Sequence, residues 1–126
     1  MKATRRELLA AAGLAALPVR GAGAADHLAV QGRRLEGLLS RPDAARRVAS
    51  TYLACVGKTD SGQAAVDLGM PAVLAPMDQI AGMEASRAWL GSRIRADFEM
   101  GAVVDVDGWL LSRTEVGACL LVAGMA

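Results

Sequence analysis

Two cysteines, one histidine and a close pair of aspartates are the residues through which this chain could do chemistry. Cys55 and Cys119 lie in neither a Cys-x-x-Cys nor a Cys-x-x-Cys-His arrangement, which argues against a redox motif and against c-type haem attachment. In an oxidising compartment they can be bridged, and a bridge closing so long a loop stabilises by a few kcal/mol. Each also falls on an apolar helical stripe, as buried free thiols do, so the sequence leaves both states open. His27 is the single histidine. It lies at the expected mature N-terminus with no partner positioned, so it reads as a surface residue, and zinc and triad chemistry both lack their usual histidine inside the fold. Asp105-Val106-Asp107-Gly108 suggests a calcium loop. Setting Gly108 at the sixth position puts Val103 first and Thr114 twelfth, where an acid and a glutamate are needed. The stretch therefore reads as a turn. Met70, Met77 and Met83 could be soft copper ligands, but they lack Met-x-Met spacing and a nearby histidine, so they read as adaptable packing. No phosphate loop or dinucleotide fingerprint occurs. The sequence thus nominates no catalytic, cofactor-binding or metal-binding residue.

Trp89 and Trp109 are the two tryptophans of an aromatic-poor chain. Trp109 follows a tight turn and precedes a capped helix. Buried, it would close a core short of aromatics; exposed, it would anchor a partner. Trp89 is the second candidate for partner contact, on the rim of a helical stripe.

The chain carrying these residues reads as mostly α-helical. Ala, Leu and Val dominate the apolar content, which favours helices packed through small side chains over a sandwich of strands. Helices are expected over residues 28–39, 42–56, 78–100 and from Ser112 to about Ala123, with a short one within 59–68. Pro42 suits the first turn of the second helix, and Gly57 suits its end. The stripe of that helix is Ala45, Val48, Tyr52 and Cys55. Met83, Leu90, Ile94 and Phe98 form the stripe of the long helix, with Arg93–Asp97 and Arg95–Glu99 spaced as weak surface pairs. Gly69-Met70-Pro71 and Ala75-Pro76 read as loop. Asp107-Gly108 between Val103-Val104 and Trp109-Leu110-Leu111 predicts a β-hairpin. Ser112 with Glu115 predicts a capping box. The expected architecture is a small bundle of about four helices with one short β-hairpin near residues 103–111.

The N-terminal stretch has a different character. A basic opening is followed by an apolar run from Leu8 to Leu17, then Pro18 and small residues through Ala25. That is the layout of an export signal, with cleavage expected after Ala24 or Ala25. Gly21-Ala22-Gly23 falls inside it. Thr4, Arg5, Arg6, Leu8 and Leu9 resemble the twin-arginine motif, although Ala10 stands where lysine is frequent. The alanine-diluted apolar run and Arg20 beyond it also favour the twin-arginine route over the general secretory one. The expected organisation is a signal peptide over residues 1–25 and a periplasmic domain over 26–126. Removing Lys2, Arg5, Arg6 and Arg20 with Glu7 turns a formal net charge of +1 slightly negative. Neither nucleic acid nor an anionic membrane is favoured as a partner, and no apolar run is long enough for an ordinary membrane span.

A short twin-arginine signal ahead of about a hundred residues without cofactor motifs resembles the small subunits of membrane-bound flavin dehydrogenases of sugars, polyols and alcohols. The resemblance implies a chain that aids export and maturation of a large dehydrogenase subunit and leaves with it through the twin-arginine translocase. Flavin and catalytic residues lie in the large subunit of that family, so none carries over. Residues 107–115 also resemble the ends of small twin-arginine signal proteins of proteobacteria, which names no activity. The expected function is a non-catalytic accessory subunit of an exported oxidoreductase. The alternative is a stand-alone periplasmic binding or stress protein with a groove near Trp89 or Trp109.

Overall fold

The computed structural model describes residues 21–124, with side chains from residue 27 onward. The twin-arginine residues Arg5, Arg6, Leu8 and Leu9 lie outside the described residues. Six α-helices and one two-stranded antiparallel ribbon make up the described chain. The fold is mostly α with a short hairpin; the short helix read within 59–68 is present, and one further helix follows it in the middle of the chain.

Helix α1 spans Gly21–Leu38. It begins upstream of the expected start at residue 28, and buries Gln31, Leu35 and Leu38 on one face. Helix α2 spans Pro42–Val56, within its expected bounds. Proline occupies its first turn, where no intrahelical N–H is lost. Gly57 ends it in the left-handed region at φ 71°, a conformation that costs glycine little. Its buried face is Ala45, Ala49 and Tyr52. Cys55, expected on that face, is exposed. The reason is helical phase: ten residues beyond Ala45, a helix has turned to about 80° off the stripe.

Helix α3 spans Ser61–Asp67, where the Asp60 side chain accepts from the Gln63 N–H at 3.0 Å. Helix α4 spans Met70–Leu74, and a 3-10 turn follows over Ala75–Gln79. This corrects the loop expected from Gly69-Met70-Pro71 and Ala75-Pro76. Both prolines occupy first turns, so each starts a helical element instead of breaking one. Met70, Leu74 and Met77 are fully buried by it.

Helix α5 spans Met83–Met100, starting after Gly82 at φ 92° rather than at Asp78. Its buried positions are Ser86, Leu90 and Asp97. The expected stripe was rotated: Met83 and Phe98 are exposed, while two polar residues face inward. Strands β1 (Val103–Val106) and β2 (Trp109–Ser112) pair in the register Val103↔Ser112 to Val106↔Trp109. The turn places Asp107 at φ 54° and Gly108 at φ 89°, the two left-handed residues that such a two-residue hairpin requires. Helix α6 spans Arg113–Ala123 and is the hub. It packs on α1, α2, α3, α4, α5 and both strands. It buries Val116, Gly117, Ala118, Leu120, Leu121 and Val122, as expected of a helix apolar nearly all round. No helix among the described residues is long and apolar enough to cross a membrane.

Candidate functional site

The site grows from the way α6 is started. Ser112 Oγ accepts from the Glu115 N–H at 2.9 Å, and Glu115 Oε1 accepts from the Ser112 N–H at 2.8 Å, so the expected capping box is complete. Asp97 adds a third arm from α5: its carboxylate accepts the Thr114 N–H at 2.8 Å and pairs with Arg93 at 3.1 Å. Arg93–Asp97 is thus no solvated surface pair, because the Asp97 side chain is 0 % exposed. Burial disfavours its charged form, but hydrogen bonding from Thr114 and the Arg93 charge outweigh that and hold its pKa below the ordinary carboxylate value. Ala102 joins the same corner, donating to the Asp97 carbonyl at 2.8 Å and accepting from the Arg113 N–H at 3.0 Å. Both ends of the hairpin are therefore tied to α5 and α6.

At the tip, the Asp105 carboxylate accepts the Gly108 N–H at 2.8 Å. That closes the turn and commits to it the carboxylate a calcium loop would need. Val104, Val106, Trp109 and Leu111 share one face of the ribbon, since cross-strand partners point the same way. Val106 is buried under the tip, whereas Trp109 is 74 % exposed and the neighbouring Leu110 is 59 % exposed. Trp109 therefore does not close the core. That position is taken by the aliphatic residues of α6.

Between this ribbon face and α2 lies an apolar groove of about 410 Å³. Arg47, Val48 and Thr51 supply the α2 wall, and Val106, Asp107, Trp109 and Leu111 the ribbon wall. A second depression of about 490 Å³ shares Thr51 and Asp107 with it and reaches Cys55. The sequence pointed to Trp109 but not to Arg47 or Thr51. Their place in a groove depends on α2 lying beside a ribbon some fifty residues further on.

The remaining nominated residues lie apart from the groove. Trp89 is partly buried against the core. His27 sits 3.4 Å from the Asp78 carboxylate, a partner its sequence position did not suggest. Cys119 is half-buried on α6, and both cysteines are free thiols in the structure. Burial, reinforced by the Glu115 charge, pushes the Cys119 thiol up to about 11. No cluster of three or more metal-ligating side chains occurs among the described residues.

Fold and site together define a small helical domain that presents a braced apolar ribbon tip beside a groove. No protein-family model, curated protein or solved structure matches the chain.

Proposed function

We propose that this chain is a non-catalytic accessory subunit of an exported periplasmic oxidoreductase and aids its export or assembly. The observation that carries the reading is the exposure of Trp109 and Leu110 on a ribbon whose base is fixed at Asp97, Ala102 and the capping box. A large aromatic held rigidly in solvent loses little entropy on docking, which is why tryptophan is enriched among residues that dominate protein interfaces. The twin-arginine resemblance of residues 4–9 supports an exported setting. A domain that exports folded, with its chemistry in a larger companion, has use for such an anchor.

The test is affinity purification of the tagged chain from periplasm and membranes of the producing cell, alongside Trp109→Ala with Leu110→Ala. A large dehydrogenase retained in stoichiometric amount by the parent chain and released by the double variant is the expected result. A parent chain that recovers no such subunit from either fraction overturns the reading.

The groove itself favours a second reading, a stand-alone periplasmic binding protein. Its volume of about 410 Å³ lies in the range of small-molecule sites. Ligand-induced shifts in melting temperature that disappear in Trp109→Ala would favour this reading over the first.

A further inference from the structure

The groove carries both halves of a contact that could be made with itself. Trp109 projects beside a floor of Val48, Val106 and Leu111, so a knob and a hole lie in one patch. Opposite charges line the same groove, Arg47 from α2 and Asp107 from the ribbon tip. Neither is firmly engaged within the chain. Arg47 reaches Asp43 only at 3.9 Å, with both side chains well exposed, and Asp107 makes no ion pair or side-chain hydrogen bond among the described residues. In a two-fold contact, residue i of one copy meets j of the other and j meets i. A patch bearing a single sign of charge would repel its copy under that rule, whereas one bearing both can pair them. A formal net charge of +1 for the whole chain adds little long-range repulsion.

We propose that this groove is the contact between two copies of the chain, each Trp109 entering the other copy's groove and each Arg47 facing the partner's Asp107. The inference rests on the docking reading of the same face and names its occupant when no larger subunit is bound. The patch is small beside the roughly 1,200–2,000 Å² that stable interfaces bury. The dimer is accordingly weak, with a dissociation constant on the order of micromolar or above. Such a dimer covers the exposed indole and gives way to any partner that buries more surface.

Sedimentation equilibrium of the full chain tests this, with Trp109→Ala, Arg47→Glu, Asp107→Asn and the last two combined. Asparagine tolerates the left-handed conformation at position 107, so the turn survives that change. Trp109 is exposed, so its truncation is expected to leave the fold intact, and far-ultraviolet circular dichroism of each variant checks this. The expected result is a concentration-dependent dimer that Trp109→Ala weakens at least about tenfold. Arg47→Glu sets a carboxylate against the partner's Asp107 and also weakens it, but less so in the Asp107→Asn background. A chain that stays monomeric up to about 0.5 mM, a dimer indifferent to Trp109→Ala, or strictly additive effects of the two charge changes would each overturn the proposal. Its failure is distinct from failure of the docking reading: a monomeric chain that still captures a dehydrogenase through Trp109 and Leu110 keeps the second and loses the first.

Discussion

Thr114, in the first turn of α6, donates its backbone N–H to the Asp97 carboxylate near the end of α5 over 2.8 Å. One buried side chain thereby joins the end of the long helix to the start of the central one. A carboxylate is favoured at that point because the first turn of a helix offers unpaired N–H groups and a partial positive charge.

Replacing Asp97 with Ala leaves a buried N–H unsatisfied and is expected to cost roughly 1–3 kcal/mol in chemical denaturation. The pH dependence follows from the sign of the shift. Asp97 is held below its ordinary value, so its contribution is present above about pH 4 and is lost as pH falls through the depressed folded-state value. Stability measured from pH 6 to pH 2 should therefore fall less steeply in Asp97→Asn than in the parent chain. Parallel acid limbs would show that Asp97 stays solvated.

Gly117 is a position on α6 where a side chain has no room. A methyl group there would lie 2.1 Å from the Met70 sulfur and 2.2 Å from its Cγ, and Met70 is fully buried. Alanine normally improves a helix interior by about 1 kcal/mol over glycine. Here the sign is expected to reverse, with Gly117→Ala destabilising by roughly 1–3 kcal/mol through overpacking. Combining it with Met70→Ala should cost less than the sum of the two, which a thermal-denaturation cycle reads directly.

Gln31 is fully buried, and among the described residues neither its amide nitrogen nor its amide oxygen has a hydrogen-bond partner. Two unsatisfied polar atoms in an apolar setting are a cost that an apolar side chain of similar shape avoids. Gln31→Met is expected to raise the unfolding free energy by about 1–2 kcal/mol. No gain, or a loss, in urea titration would mean that the amide finds partners in solution.

The two thiols should separate kinetically. Cys55 is exposed, while burial and the Glu115 charge hold Cys119 in its protonated, unreactive form at neutral pH. Titration of the native chain with a thiol reagent at pH 7.5 should show one fast equivalent and a second released only on unfolding. Cys55→Ser should abolish the fast one. Absence of any free thiol in the chain as isolated, with the chain still monomeric under non-reducing conditions, would instead reveal the Cys55–Cys119 bridge.

Several signals that act over a few neighbouring residues could be read without any tertiary knowledge, although the local signals at Pro71 and Pro76, which read as loop, start helical elements. Pro42 and Gly57 bound α2, Asp107-Gly108 turned the ribbon and Ser112 with Glu115 started α6. Each depends on backbone preferences and hydrogen bonds spanning four residues or fewer, so no distant partner is needed. That α6 is the hub was not among these local signals, because it depends on the other helices and both strands converging on one helix. Tertiary structure decided which polar groups go inside and which apolar ones stay out. Asp97 is buried because an unpaired helix N-terminus 17 residues on requires its carboxylate, and Ser86 because Arg34, 52 residues back, donates to it at 3.1 Å. Trp109 stays in solvent because α6 fills the core before the ribbon tip reaches it. Helical periodicity favours inward positions for apolar residues, but burial is settled by what other elements bring to the same place. Those pairings join residues that lie far apart along the chain.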